Sequence, residues 1–375
     1  MRLLAAMVGL AWLAGAASAA AQGASPEPVR IGLYLPMTGA AAAMGQMVWE
    51  GVQIAHKLQP RILNREVKLI LTDTKSDRIE AANAVSRLIE KDKVHAIIGE
   101  VISSDTLAGV PIAERARIPN ITPTATNPLV TQGRQFAFRA CFVDDLQGKV
   151  AARYAFEHLK ARRAALLIDQ AQDYCVGLGN YFSQEFKRLG GEIVAQSFIQ
   201  TGDQDFTAQL SGFKAKQPDL LYAPNYYAEN ALLAKQMQSL GMSLPILTGD
   251  GAQVPELLSI GGPAVEGMAF TAHFHRQGIR TELGQRFLKA YEETYKKDLD
   301  AFAALGGECY VLLAQALEKA GTTDGAPVAQ ALAATRDFPG ITGTITMGPD
   351  HNPIKDVVII KVEKGKFAYQ TTMQP

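Results

Sequence analysis

Small hydroxyl side chains follow two short apolar segments, 94–98 and 118–121, in the first third of the chain. In an open parallel α/β sheet, ligands bind beyond the carboxyl ends of the strands, where free backbone N–H groups and helix dipoles favour an anion. The spacing therefore predicts a site for a carboxylate or a similar small anion. For each single residue, a role in capping its own helix is an equally good interpretation. The residues of this first set are Ser103, Ser104, Thr124, Ala125 and Thr126.

Aromatic and acidic side chains follow three later strand-like segments, 164–168, 220–223 and 246–248. A carboxylate surrounded by tyrosine rings and hydroxyl groups suits a cation. Interface packing is the alternative interpretation for the tyrosines, and a tight turn between two glycines is the alternative for the aspartate. If both sets face one cleft, the site complements a zwitterion. The residues of this second set are Tyr174, Tyr226 and Asp250.

The elements that must position these residues alternate between strand and helix. This rhythm is typical of a doubly wound α/β sheet with right-handed crossovers. It breaks near residues 136–145 and then starts again, so we predict two α/β domains. Long helical segments at 281–297 and 302–320 and a final hairpin around residues 363–365 complete the chain. The predicted strands are 29–35, 67–72, 94–98 and 118–121 in the first domain and 164–168, 192–198, 220–223 and 246–248 in the second.

The N-terminal 22 residues have the pattern of a secretory signal. Arg2 precedes an apolar core at 3–17, and small residues near 19–22 form a cleavage site. No later stretch approaches 18 uninterrupted apolar residues, so we expect an exported, periplasmic protein that does not insert into the membrane.

Composition argues against several classes of function. The chain of 375 residues has 37 Lys and Arg and 37 Asp and Glu, so its formal net charge is zero and a nucleic-acid partner lacks its electrostatic footprint. An exported protein could join two of the cysteines Cys141, Cys175 and Cys309, most plausibly the first two. No metal-ligand spacing and no G-x-G-x-x-G loop is present, and we interpret His273 and His275 as alternate residues at the end of a strand. We expect no metal and no cofactor.

Six segments in the right order resemble the periplasmic leucine/isoleucine/valine-binding proteins, the type I solute-binding receptors of ABC importers. The resemblance covers nearly all of the chain after the signal segment. It implies two α/β lobes joined by three crossovers that close on a ligand like a hinged trap, with residues 28–143 and 274–350 in lobe 1 and residues 144–273 and 351–375 in lobe 2. The segments are IGLYLPMTG, VHAIIGEVISSDT, PNITPTATNP, DQAQDYCVGLG, DLLYAPNYYAENALLAKQMQSLG and ILTGDG.

The resemblance also implies roles for the two sets of residues. Ser103 matches the serine that holds the ligand carboxylate, and segment 124–126 matches the one that binds the carboxylate and the ammonium group. Tyr174 and Tyr226 match tyrosines that close over the ligand from the second lobe. Asp250 stands where the branched-chain receptors carry a glutamate that pairs with the ammonium group, so the charge is set back by about one methylene.

The pocket for the ligand side chain is implied less directly. Phe302 matches an aromatic residue of that pocket, and Met44 and Met47 are candidates for another part of its wall. The sequence departs from its relatives at 306–308, Gly-Gly-Glu, where Ala-Tyr-Asp is frequent.

We therefore expect an extracytoplasmic receptor that binds an amino acid, aliphatic or branched-chain, and delivers it to the membrane permease of an ABC importer. The same fold binding another small polar ligand, such as an amide, urea, a GABA-like molecule or an aromatic acid, is the alternative. An exported enzyme could use Asp169, Asp173 and Asp250 as acid–base groups. Because no nucleophile elbow, metal set or Ser-His-Asp signature accompanies them, we do not expect an enzyme.

Overall fold

The chain forms two large sheets, and the strands of each are short, apolar and alternate with helices along the chain. The computed structural model describes residues 26–374, so the predicted signal segment 1–22 lies outside it. Most residues of the central strands are buried, because helices cover both faces of each sheet. The predicted α/β class with two doubly wound sheets is confirmed.

The first sheet has the strand order β2-β3-β1-β4-β5-β6. The neighbouring strands β3, β1, β4, β5 and β6 pair in parallel, and β2 pairs with β3 in the antiparallel sense. The ends of β4 and β5 therefore lie side by side. The elements are β1 Val29–Leu35, α1 Ala42–Leu58, β2 Arg61–Ile62, β3 Arg65–Asp73, α2 Arg78–Glu90, β4 Ala96–Gly99, α3 Ser103–Ala116, β5 Asn120–Thr122 and β6 Ala137–Arg139.

The second sheet combines a parallel part with an antiparallel hairpin from the end of the chain. Its central elements are α4 Asp144–Arg153, β7 Arg163–Asp169, α5 Asp173–Arg188, β8 Glu192–Ile199, α6 Thr207–Lys216, β9 Leu220–Tyr222, α7 Tyr227–Ser239, β10 Ile246–Thr248, α8 Pro255–Gly261 and β11 Ala269–Ala272. After β11 come α9 Glu282–Tyr295, α10 Ala301–Ala320 and α11 Gly325–Ala333, followed by β12 Phe338–Pro339 and β13 Thr344–Ile345, which pair only with each other. The hairpin consists of β14 Val357–Glu363 and β15 Lys366–Met373. The strand order is β15-β14-β11-β10-β9-β7-β8.

Helices α9 and α10 return to the first sheet and cover α1. The two helix backbones approach closely at glycines: a Cβ atom on Gly51 would lie 1.9 Å from Ala303 O, and one on Gly306 would lie 2.4 Å from Val48 O. The glycine at 306, where the resemblance leads us to expect alanine, is thus explained by this close approach.

Glu308, the third residue of the departing segment 306–308, is buried and holds the chain beyond α11. Its carboxylate accepts hydrogen bonds from the N–H groups of Ile341 at 3.1 Å and Thr342 at 2.7 Å. Lys355 Nζ donates to Thr342 Oγ1 at 2.6 Å and to Ala140 O at 3.1 Å. The buried carboxylate of Glu308 therefore stabilises the segment that leads back to the second sheet.

The chain passes between the two sheets three times: between β6 and α4, between β11 and α9, and between β13 and β14. We propose the division into two lobes that the sequence predicts, with one adjustment at the third passage. His351 Nδ1 lies 3.0 Å from Ala137 O, and Asn352 Oδ1 accepts a hydrogen bond from Thr131 Oγ1 at 2.8 Å. These contacts place residues 351–352 against the first lobe.

The three cysteines are buried and unpaired, so the predicted pairing of Cys141 with Cys175 is wrong. Cys141 follows β6 and its Sγ lies 3.6 Å from Ala125 O, whereas Cys175 lies on α5 in a different hydrophobic cluster. Burial raises the pKa of all three thiols, that of Cys141 to about 12.

Candidate ligand-binding site

The first set of predicted residues lies where β4 and β5 end, and all five of its members are buried. Asn127 N–H donates to Ser103 Oγ at 3.2 Å, and Thr124 Oγ1 donates to Val101 O at 2.9 Å. These bonds join the loop after β4 to the loop after β5. The hydroxyl of Thr126 is buried, has no hydrogen bond of standard geometry within residues 26–374, and lies beside the carboxyl group of Asp144.

Neither serine caps its own helix, so the capping interpretation of Ser103 and Ser104 is wrong. Helix α3 begins at Ser103, and the residue at its N-cap, Ile102, makes no side-chain capping bond. The N–H of Ile102 donates to Glu100 Oε2 at 2.5 Å. Ser104 Oγ accepts a hydrogen bond from Asp173 N–H at 2.9 Å. Both serine hydroxyls thus bind backbone N–H groups of other segments.

Arg139, at the end of β6, supports the loop after β5 from behind. It is completely buried, and its Nη1 donates to Ala125 O at 2.8 Å while Nη2 donates to Asn127 O at 2.9 Å and to Thr131 Oγ1 at 3.1 Å. Burial lowers the pKa of the guanidinium group, which nevertheless stays protonated. No carboxylate lies within ion-pair distance of it in the described part of the chain. A buried cation behind this loop favours an anion in front of it.

Asp250 lies directly after Gly249 at the end of β10, and both of its carboxylate oxygens have partners. Oδ1 accepts hydrogen bonds from Gln147 Nε2 at 2.7 Å and from Tyr174 OH at 3.0 Å, and Oδ2 lies 2.9 Å from His273 Nε2. Burial would raise the pKa of Asp250, but the charge of His273 and these hydrogen bonds lower it below its usual value. Asp250 is therefore an anion in a buried setting.

Tyr174 and Tyr226 stack against each other beside Asp250, with ring centroids 5.3 Å apart and an interplanar angle of 25°. A Cβ atom on Gly249 would lie 2.1 Å from the hydroxyl oxygen of Tyr174, and one on Gly251 would lie 2.8 Å from the ring of Tyr226. The two glycines are thus required by the tyrosines as well as by the short turn. Burial raises the pKa of both phenols, so they act as neutral groups.

Helix α4 connects the two sets of residues. The N–H of Asp144 donates to Thr126 O at 3.0 Å, and Gln147, about one turn later, binds Asp250. Neither carboxyl oxygen of Asp144 is hydrogen bonded within residues 26–374. Burial and the nearby charge of Asp250 raise the pKa of Asp144 well above its usual value, which favours the protonated form of this second carboxyl group. Sequence reasoning missed both Asp144 and Gln147, whose only signal is their place at a helix start after the first domain.

His273 is a further residue that sequence reasoning missed. It follows β11, the neighbour of β10, and its ring lies 3.9 Å from the ring of Phe142. Its position at the end of a strand agrees with the sequence interpretation, but its contact with Asp250 depends on which strands are neighbours. His275 is not part of this cluster and lies near Tyr369, with ring centroids 5.6 Å apart.

Phe302 shares a hydrophobic cluster with residues against which Tyr226 packs, but not with Tyr174. It is the second residue of α10 and belongs to the same hydrophobic cluster as Met44 and Met47, whereas Tyr174 belongs to another cluster. A role for these three residues in a side-chain pocket stays a prediction.

The other two acidic residues considered for an enzyme have structural partners. Asp169 accepts a hydrogen bond from Ala171 N–H at 2.9 Å and another from Thr201 Oγ1. Asp173 forms an ion pair with Arg78 at 3.0 Å. No group of three potential metal ligands occurs within residues 26–374.

Comparison with known proteins agrees with this architecture. The family described as "Periplasmic binding protein" matches residues 28–366. The leucine binding protein LivK from Thermotoga maritima is 45% identical and superposes with a TM-score of 0.91 over 92% of this chain and 99% of that chain. LivJ from Streptococcus pneumoniae, solved with isoleucine, is 31% identical with a TM-score of 0.87 over 93% and 100%. The Leu/Ile/Val-binding protein BraC3 from Rhizobium johnstonii is 30% identical over 85% of this chain and 87% of its own.

The chain belongs to the periplasmic binding protein family, a class of solute-binding receptors. Within residues 26–374, no helix combines the length and apolarity that crossing a bilayer requires.

Proposed function

We propose that this protein is an exported receptor that binds an aliphatic or branched-chain amino acid between its lobes and delivers it to the permease of an ABC importer. The observation that carries the proposal is the connection, through α4, of an anion-binding pair of loops to the buried anion Asp250. The names of the relatives and the isoleucine bound by the streptococcal protein support the choice of ligand class.

The first lobe supplies the groups for the ligand carboxylate. Backbone groups of segment 124–126 and the hydroxyls of Ser103 and Thr126 offer hydrogen bonds, and the charge of Arg139 lies behind them. Since hydrogen bonds to charged groups contribute about 1.5–3 kcal/mol each, a few of them reach the roughly 8 kcal/mol of a micromolar complex after closure costs.

The second lobe supplies the groups for the ammonium. Asp250 provides the charge, and the stacked rings of Tyr174 and Tyr226 cover it from water. Gln147 and His273 hold the carboxylate in a fixed orientation. A fixed acceptor needs little reorganisation when the ligand arrives.

A receptor for a small carboxylic acid without an ammonium group is the second candidate. One observation favours it: Asp250 already has three hydrogen-bond partners of its own lobe, and a carboxylate offers about four acceptor positions. A ligand that places no cation there would leave this network intact.

The two candidates are separated by ligands that differ from leucine in one charged group. Protein unfolded, freed of bound ligand and refolded is tested by thermal shift and calorimetry with leucine, with isocaproate, which lacks the ammonium group, and with isopentylamine, which lacks the carboxylate. A ligand at 100 times its dissociation constant stabilises the protein by about 2.7 kcal/mol. We expect leucine alone to do so. Equal stabilisation by isocaproate would replace the amino acid with the second candidate.

A further inference from the structure

One residue of the second lobe, Asp173, is held by three side chains of the first lobe. Ser104 Oγ accepts a hydrogen bond from Asp173 N–H at 2.9 Å, and Asn127 Nδ2 donates to Asp173 O at 3.1 Å. Arg78 Nη2 lies 3.0 Å from Asp173 Oδ2 and donates to Ala171 O at 2.8 Å. The backbone donor, the backbone acceptor and the carboxylate of Asp173 are therefore all bound. We call Arg78, Ser104 and Asn127 the Asp173 clamp.

The clamp acts on the N-terminus of helix α5. Asp173 is the first residue of that helix, and its N-cap residue, Gln172, makes no side-chain capping bond. The first N–H groups of a helix have no partner inside it, so they need one from elsewhere. The hydroxyl of Ser104, from the first lobe, supplies that partner. The next residue, Tyr174, is the one that binds Asp250.

We infer that the Asp173 clamp sets the affinity for the ligand without touching it, by holding the start of α5 and hence Tyr174 over the bound molecule. The inference rests on the proposed receptor function, in which the lobes close on a ligand. It assigns Ser104 to the contact between the lobes, a role that differs from the direct ligand contact predicted from the sequence.

The members of the clamp differ in their exposure to solvent. Ser104 and Asn127 are buried, whereas the side chains of Arg78 and Asp173 are 51% and 43% exposed. Salt screens exposed ion pairs much more than buried hydrogen bonds. The contribution of Arg78 therefore decreases with ionic strength, and that of Ser104 does not.

The test combines ligand affinity with a direct measure of closure. Dyes attached to Lys91→Cys on the first lobe and Lys216→Cys on the second report the closed fraction by energy transfer, because both lysines are exposed while the three native thiols are buried. Arg78→Gln and Ser104→Ala are compared with two matched controls. Arg87→Gln removes an ion pair with Asp92 within the first lobe, and Ser183→Ala removes a hydrogen bond within α5.

We expect Arg78→Gln and Ser104→Ala each to weaken leucine binding about 3- to 10-fold, to lower the closed fraction at subsaturating leucine and to speed dissociation. The controls should match the parent protein, and only the Arg78 effect should fade in high salt. Weaker binding with an unchanged energy-transfer response would show that Ser104 contacts the ligand and would overturn the inference, as would no change in either quantity. If leucine does not bind the parent protein, the receptor proposal fails, and the clamp is then tested by the closed fraction measured without ligand. An equal closed fraction in the parent protein and the variants would reject the clamp. A lower closed fraction in the variants would support it.

Discussion

Asp250 accepts three hydrogen bonds from its own lobe, so a substitution there must be designed to keep the shape of the side chain. Asp250→Asn removes the charge and changes the volume little. We expect the affinity for leucine to fall at least about 30-fold, because removing one partner of a buried charge pair costs about 2–5 kcal/mol. Calorimetric titration measures the change. A dissociation constant within threefold of that of the parent protein would place the ammonium group elsewhere.

Asp144→Asn is the matched control for Asp250→Asn. Both aspartates are buried in the same region, but the pKa of Asp144 is raised and that of Asp250 is lowered. Replacing a protonated carboxyl group with an amide leaves the local charge unchanged. The control should therefore bind leucine with nearly the affinity of the parent protein. A loss equal to that of Asp250→Asn would show that removal of the Asp250 charge is not what weakens binding.

Asp105, on the first turn of α3, provides a prediction about pH. Burial raises its pKa from 3.8 to about 6, against a smaller opposing effect of Arg78. Because the folded state binds this proton more tightly than the unfolded state, the contribution of Asp105 to the free energy of unfolding falls as the pH rises from about 4 to about 6 and is level above that. Asp105→Asn should remove this loss and stabilise the protein at pH 7.5 by up to about 3 kcal/mol relative to its effect at pH 4. Urea unfolding at both values checks this, and an equal effect at the two pH values would contradict it.

At the scale of elements, the contact between α1 and α10 depends on a missing side chain. Gly51→Ala would place a Cβ atom 1.9 Å from the backbone oxygen of Ala303, and backbone atoms cannot move aside without separating the helices. We expect a loss of about 2–4 kcal/mol in urea unfolding.

Gly212→Ala is the control for Gly51→Ala. Gly212 is also inside a helix, α6, and a Cβ atom there would meet nothing within 4 Å. This substitution should stabilise the protein by about 0.5–1 kcal/mol, since alanine is the better helix former. A similar loss in both variants would attribute the effect to the helix itself and not to the contact.

Elements whose apolar residues recur with a clear period are predicted well from the sequence, whereas short elements without such a period are not. Strands β1 and β10 begin and end where the sequence places them. Helices α8 and α11 and the two-residue strands β2, β12 and β13 were missed, because each is too short for its period to be recognised. The sequence could not decide between capping and another role for Ser103 and Ser104, because the partners of a hydroxyl group are set by segments far away in the chain.

At the scale of the whole molecule, the strand ends gave the two groups of site residues but not the contacts between them. His273 reaches Asp250 only because β11 lies beside β10. Arg139 reaches the loop after β5 only because β6 lies beside β5. Both residues occupy strand ends that carry no motif. The lobe contact at Asp173 was beyond prediction for the same reason, since it depends on how two separately folded sheets meet.

The order of the strands also has a consequence for when the protein can fold. As the chain is synthesised from its N-terminus, the strands of the first sheet are complete by residue 139, but α10, which covers α1, is made only after the central strands of the second sheet. The second sheet is completed only by the C-terminal hairpin, whose strand β14 pairs with β11; Ile360 lies opposite Phe270 in this pairing. Such distant pairings slow folding. A nascent chain is therefore expected to stay incompletely folded until its last strands are made, which would suit the export that we propose for this receptor.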